Sequence, residues 1–243
     1  MIERWIVFGG WAAEASILAP LFGPKPILVD TTALMPRLVT GGTLRPDWQV
    51  VVGDIVAGLM PESIDPSAIG ITGWSTGAIL AYTAAAKINP GAAMLLSAAP
   101  SFCRRPGFAL GWKAAILRSM REKVMTEPER VLEQFYAECG LSTDFYQSIR
   151  SNDVSSSVSP TARQALIDGL YFLEQATLLS ARPLPCPALF LHGRSDTIVP
   201  FQAGKRFCDM AGGRFADFEG PHAFFIDRAT EVTTRILEFA NAP

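Results

Sequence analysis

Ile69-Gly-Ile-Thr-Gly-Trp-Ser-Thr-Gly-Ala78 is the stretch that decides how the chain is read. A short apolar run leads into Gly73-Trp-Ser-Thr-Gly77, and a helical pattern continues from Ala78 to Ala86. Strand, sharp turn and helix with a serine at the apex is the arrangement of a G-x-S-x-G nucleophile elbow. The spacing has a steric cause. A serine held above a sheet in a strained conformation brings the backbone two residues before it and two after it close together, and glycine alone fits at both places. The helix that starts behind the serine aims its first N–H groups, beginning with Thr76, at any oxyanion formed there. A glycine-rich βα turn whose serine merely caps a helix fits the same pentapeptide. The remainder of the chain must therefore supply a base and an acid.

On either side of this stretch the sequence alternates buried strands with helices. Arg4 to Phe8 is a β-forming run stopped by Gly9-Gly10, and Ile27 to Val29 is a second, ending at Asp30. Ala92 to Ser97, Ala188 to Leu191 and Phe215 to Phe218 continue the series. Helical patterns cover about Ala12 to Leu21, Trp48 to Met60, Phe201 to Ala211 and Ala229 to Ala240, with Val50-Val51-Val52 leaving a strand open as an alternative in the second. Continuous apolar strands between helices predict an α/β fold, a mostly parallel sheet covered on both faces. Thr31 to Pro46, rich in Thr, Gly and Pro, reads as irregular. From Ser101 to about Arg182 the rhythm changes to three helices, Leu110 to Val124, Glu127 to Cys139 and Pro160 to Leu179. The expected organisation is core (1–101), helical insertion (102–182), core (183–243).

Length and composition set bounds. A chain of 243 residues suits one domain, or one domain with an insertion. With 21 Lys and Arg against 23 Asp and Glu, the net charge of −2 argues against a general nucleic-acid binder. Four scattered cysteines and only two histidines make a Cys/His zinc site a poor reading, and acyl transfer through a serine, the chemistry the elbow points to, calls for no metal or organic cofactor. Trp5 to Ala13 mimics the apolar core of a signal peptide, but Glu3, Gly9-Gly10 and Glu14 interrupt it. No run approaches the roughly 18 apolar residues of a membrane span. A cytoplasmic protein is the expectation, with no membrane partner.

Reactive groups in an open parallel sheet gather beyond the carboxyl ends of its strands. Ser75, Asp196 and His222 each follow such a strand, in the chain order associated with the elbow. His222, between Gly220-Pro221 and Ala223, is the expected base, and His192, before Gly193, is read as structural. Asp196 is the expected orienting acid, ahead of Asp209, Asp217 and Asp227. The oxyanion hole needs two N–H donors. Thr76 supplies one, and the loop Phe8-Gly-Gly-Trp11 the other, from Trp11 or, failing that, Gly10.

At these residues the chain resembles the α/β-hydrolases, and among them the pimeloyl-acyl-carrier-protein methyl ester esterases of biotin synthesis. The likeness rests on Gly73-Trp-Ser-Thr-Gly77, Ser97-Ala-Ala-Pro-Ser-Phe-Cys103, His192-Gly-Arg-Ser-Asp-Thr-Ile-Val-Pro200 and Pro221-His-Ala-Phe-Phe225. It implies a serine carboxylesterase working through an acyl-enzyme, with the insertion as a lid. Trp11, Trp74, Phe102 and Phe135 suit the lining of an acyl channel, and equally an ordinary aromatic core. Arg118, Arg121, Arg130 and Arg150 suit contact with an acidic carrier protein that delivers the ester, and equally an ordinary solvated helix face. The chain departs from the pattern at Gly9, where the larger family has histidine, and at Thr76 and Ala78. The family's antiparallel N-terminal hairpin is expected to be missing. Another small-molecule hydrolase on the same fold, cleaving a C–C bond or acting as a lyase, is the alternative, and a catalytically silent binding protein a further one.

Overall fold

The computed structural model describes residues 2–142 and 158–240. Six strands form one sheet in the order β2-β1-β5-β6-β7-β8, and every pairing in it is parallel. The strands are β1 (Arg4–Phe8), β2 (Ile27–Val29), β5 (Ile69–Trp74), β6 (Ala92–Leu96), β7 (Ala188–Gly193) and β8 (Arg214–Phe218). The central β5 and β6 are buried along their whole length, as uninterrupted apolar strands between helical layers should be. No antiparallel strand borders this sheet among the described residues.

The chain lays β2 on one side of β1 and then returns to lay β5 on the other. The direction of winding therefore reverses between β1 and β5, and the crevice outside the carboxyl ends of these two strands is where such sheets bind ligands. Register fixes what meets there. Phe8 pairs with Gly73, so the loop after β1 lies beside the turn after β5.

The helices are α1 (Thr31–Leu38), α2 (Trp48–Leu59), α3 (Thr76–Ile88), α4 (Ala114–Thr126), α5 (Pro128–Glu138), α6 (Pro160–Gln175), α7 (Phe201–Ala211) and α8 (Ala229–Ala240). Pro128 and Pro160 occupy first-turn positions, where a missing N–H breaks no intrahelical bond. Between residues 101 and 182 only isolated bridges, such as Ser101 to Thr177, interrupt the helical character of the described residues. None of the described helices is long and apolar enough to cross a membrane.

Two local expectations fail. The helix expected over residues 12–21 is instead a pair of single 3-10 turns, Ala15–Ile17 and Ala19–Leu21. Residues 31–46 are ordered rather than irregular. Asp30 caps α1 by accepting the Ala33 N–H at 3.0 Å, and α1 runs through Pro36. A hairpin then pairs β3 (Val39–Thr40) with β4 (Thr43–Leu44) across Gly41-Gly42, both at positive φ. Gly-Gly between β-branched residues is a hairpin signal legible in the sequence. So short a hairpin survives because Gln175 of α6 clamps it, accepting from Leu44 N at 3.0 Å and donating to Gly42 O at 2.8 Å.

Candidate active site

Ser75 sits between β5 and α3 with φ +57° and ψ −117°, a conformation that costs a residue with a side chain on the order of 1–3 kcal/mol. Its surroundings hold it there. The Ser75 N–H donates to Leu96 O at 2.9 Å, tying the apex to β6. A Cβ on Gly73 would lie 2.2 Å from Gly77 O, and one on Gly77 would lie 2.1 Å from Gly9 O. The chain thus crosses itself and the loop after β1 at distances that only glycine permits. Gly77→Ala is expected to destabilise the protein by about 2–4 kcal/mol and to displace the Gly9 loop, read by chemical denaturation and by loss of activity per folded molecule.

His222 is fully buried, and both of its ends are fixed. Its carbonyl accepts from Trp74 Nε1 at 3.1 Å and Ser97 Oγ at 2.9 Å. Its ring packs against the Trp74 ring, 5.1 Å between centroids, and its Nδ1 lies 2.7 Å from Asp196 Oδ2. A carboxylate only accepts, so Nδ1 carries the proton in that bond, and in the neutral ring Nε2 is left as a lone-pair acceptor. Nε2 is buried with no hydrogen-bond partner, Ser75 Oγ included. Trp74 is the residue before Ser75, so its bond to His222 joins the histidine loop directly to the serine turn.

The Asp196 carboxylate is saturated. Oδ1 accepts from Ile198 N at 2.9 Å and Val199 N at 2.8 Å. Oδ2 faces His222 and, at 3.2 Å, Nε2 of His192. His192 Nε2 also lies 2.9 Å from the carbonyl of Val199, so this nitrogen is a donor too. The contact between His192 and the Asp196 carboxylate is one that the reading of His192 as structural leaves out, although the two lie only four residues apart. Burial disfavours charge on Asp196, but the neighbouring His222 charge and the donors from both histidines outweigh it and hold the carboxyl well below the usual carboxylate range. A depressed folded-state value contributes stability that is present above the unfolded value of about 3.9 and is lost as pH falls through the folded one. Asp196 therefore stays ionised through neutral and mildly acidic pH. The acid limb of log kcat/KM is expected to have a slope of about one, reporting a single protonation; a slope near two would contradict this.

Thr76 is the first residue of α3, so its N–H lies outside the intrahelical ladder. The Gly9–Trp11 loop lies across from it, with Gly10 against the Trp74 ring, and Gly10, Trp11 and Thr76 line one small cleft. A larger cavity of about 410 Å³ opens on Ser75, within the size range of small-molecule sites. Its walls include Trp11, Phe102, Phe135, Leu117, Leu170 and Leu173, while exposed Lys123, Gln134 and Glu138 line it as well. Gln134 donates to Glu138 at 3.1 Å. Burial pushes the four cysteine thiols upward, so none rests as a thiolate. No cluster of three or more His, Cys, Asp or Glu able to hold a metal occurs among the described residues.

Some expected residues lie elsewhere. Trp74 does not line the cavity. It is wholly buried beneath Gly10 and against Phe225, where its indole braces His222. Arg121 is not on a docking face. Its guanidinium lies 3.9 Å from the Tyr171 ring centroid and pairs with Glu174, because α4 packs that side of itself on α6. Arg118 pairs with the same carboxylate at 3.0 Å from an exposed position, and Arg130 is exposed and pairs with Glu127 at 3.1 Å. Arg150 lies outside the described residues.

The family model described as serine hydrolase (FSH1) matches residues 60–227, a span that contains Ser75, Asp196 and His222. The chain belongs to the FSH1 serine hydrolase family. No curated protein matches it. Among solved structures, this FSH1 serine hydrolase is similar to an esterase (EaEST) from Exiguobacterium antarcticum, with TM-score 0.76 and 17% identity over 99% of this chain and 93% of that one. A bromoperoxidase from Bacillus anthracis has TM-score 0.74 and 14% identity over 100% and 93%. An enol-lactonase from Burkholderia xenovorans has TM-score 0.68 and 17% identity over 98% and 92%. At these identities the likeness establishes the α/β-hydrolase fold of the FSH1 chain and leaves its chemistry to the site.

Proposed function

We propose that Ser75, Asp196 and His222 are the catalytic triad of a carboxylic ester hydrolase, with the N–H groups of Trp11 and Thr76 as its oxyanion hole. The observation that carries this reading is the buried imidazole of His222, protonated toward Asp196 and left with an unpartnered Nε2, on a loop bonded to the residue before the strained serine. Ser75 Oγ adds to the ester carbonyl as its proton passes to His222 Nε2. The two N–H groups hold the oxyanion. The tetrahedral adduct collapses as His222 returns the proton to the departing alcohol, leaving an acyl-Ser75. Water, deprotonated by the same imidazole, then releases the acid and restores the serine. Asp196 keeps the ring in the useful tautomer and stabilises the imidazolium.

The substrate in this reading is an ester whose apolar acyl chain occupies the cavity against Trp11, Phe102 and Phe135, with residues 102–182 as a lid. Met120→Trp, at a half-buried cavity wall, is expected to lower the ratio of kcat/KM for p-nitrophenyl octanoate over acetate by about 10-fold or more. The finer form is the methyl ester of a pimeloyl chain on acyl carrier protein. It is supported by the motif resemblance and by exposed Arg118 and Arg130, with Arg150 added from sequence. A cytoplasmic setting belongs to the same reading, supported by four free, buried cysteines.

The test has two arms. A fluorophosphonate should label Ser75 in folded protein, and absence of labelling overturns the triad. Turnover of a methyl pimeloyl carrier thioester is then compared with that of free short esters. A carrier preference supports the biotin role, and its absence leaves the esterase alone. Cleavage of C–C bonded diketones without ester turnover would favour the alternative chemistry.

A further inference from the structure

The loop that bears the Trp11 N–H is held from outside itself. Ala12 adopts φ +56°, a region sparsely populated by residues with a side chain, and the turn's own bond, Ala13 N–H to Gly10 O, is long at 3.4 Å. Three contacts from the helical insertion keep it in place. The Tyr136 hydroxyl donates to the carbonyl of Ala12. The Phe135 ring meets the Trp11 ring edge-on at 4.8 Å. The Trp11 indole donates to Leu166 O of α6 at 2.9 Å.

The same end of α5 also grips the histidine loop. Cys139 O accepts the Ala223 N–H at 2.9 Å. Gly140, at φ +84°, lies on the Pro221 ring, where a Cβ would come within 2.2 Å of Cγ. Residues 135–140 therefore touch both the loop carrying an oxyanion donor and the loop carrying the base. Leu141 N–H closes onto Tyr136 O at 3.0 Å and finishes the helix between these two attachments.

We infer that Tyr136 is a positioning residue for oxyanion stabilisation, its hydroxyl holding the Ala12 carbonyl and so the turn in which the Trp11 N–H, two peptide units earlier, faces the tetrahedral intermediate, while α5 keeps His222 in register with it. This rests on the oxyanion hole proposed above. Tyr136 acts in this role through the Ala12 carbonyl. It matters because a donor must be in place before charge develops, and displacement by about 1 Å suffices to lose roughly 100-fold in rate.

Tyr136→Phe removes the hydroxyl and keeps the ring. The variant and the parent are titrated to completion with a fluorophosphonate, so that rates are expressed per competent Ser75. Then kcat and KM are measured on p-nitrophenyl butyrate, with inhibition by butylboronic acid, which forms a tetrahedral anion on serine, and by butyrate. The expected result is a fall in kcat of about 10- to 100-fold with KM within about twofold. Boronate affinity should weaken in step with kcat while butyrate affinity is unchanged. A merely structural hydroxyl would lower the melting temperature and the labelled fraction without moving kcat per labelled site, and that outcome overturns the inference. So does a fall in kcat with boronate affinity intact. Failure of the parent itself to label at Ser75 removes the triad and this inference together, whereas labelling with an unmoved kcat removes only the inference.

Discussion

Ser75→Ala is expected to lower kcat/KM on a short ester by about ten-thousandfold to a millionfold while leaving the fold in place. In the proposed mechanism the side chain supplies the oxygen that becomes acylated, and neither the cysteine thiols nor Thr76 replaces it. The cysteine thiols are buried and pushed upward, and Thr76 begins a helix with its own hydroxyl buried. Alanine at φ +57° is no more strained than serine, so stability measured by denaturation should change little. Residual turnover above the uncatalysed rate would come from the two N–H donors and the cavity. Activity surviving within about tenfold of the parent would place the nucleophile elsewhere. Mass spectrometry of the acylated or phosphonylated protein locates it directly.

Asp196→Asn should cost about ten-thousandfold in kcat, more than the loss of one charge suggests. The reason is the bonding at each oxygen. Ile198 and Val199 present two N–H groups to Oδ1, so an asparagine would place its carbonyl there and turn its NH₂ toward His222. The His222 Nδ1 then has to accept, its proton moves to Nε2, and the ring can no longer take the proton of Ser75. His192 makes the exchange worse, since its Nε2–H would face another donor where it now approaches Oδ2 at 3.2 Å. The variant should fold and titrate with a fluorophosphonate very slowly. An activity within about tenfold of the parent would show that the carboxylate does not orient the base.

Much of this site was legible before any coordinates. The elbow is a local object. The close approach of Gly73 to Gly77 follows from a tight turn within five residues, and the residue types declare it. Asp196 declares itself by following β7, whose apolar run is plain in the sequence, and His222 by following the Phe215–Phe218 segment of β8 and by being one of only two histidines. The hairpin at Gly41-Gly42 is legible too, but a segment so rich in Thr, Gly and Pro reads as irregular as a whole. The helix at α1 was hidden by Pro36, which the fold tolerates because Asp30 caps the first turn and Leu34, Met35 and Leu38 are buried.

What the sequence determined by itself is the chemistry on offer and its order along the chain: a serine at a glycine-flanked turn, a carboxylate and an imidazole, each beyond a strand of the sheet. These features depend on neighbours within a few residues, where sterics and periodicity act. Tertiary structure alone decided which way side chains of equal promise were turned. Trp74 became the brace of the histidine rather than a pocket wall, and Arg121 was drawn inward to Glu174. His192 came to share the carboxylate of the base, and Tyr136 reached back to Ala12 across 124 positions of chain. An indole, a guanidinium or a phenol has several good partners, and its choice among them is set by which elements packing brings alongside, information that no local stretch contains.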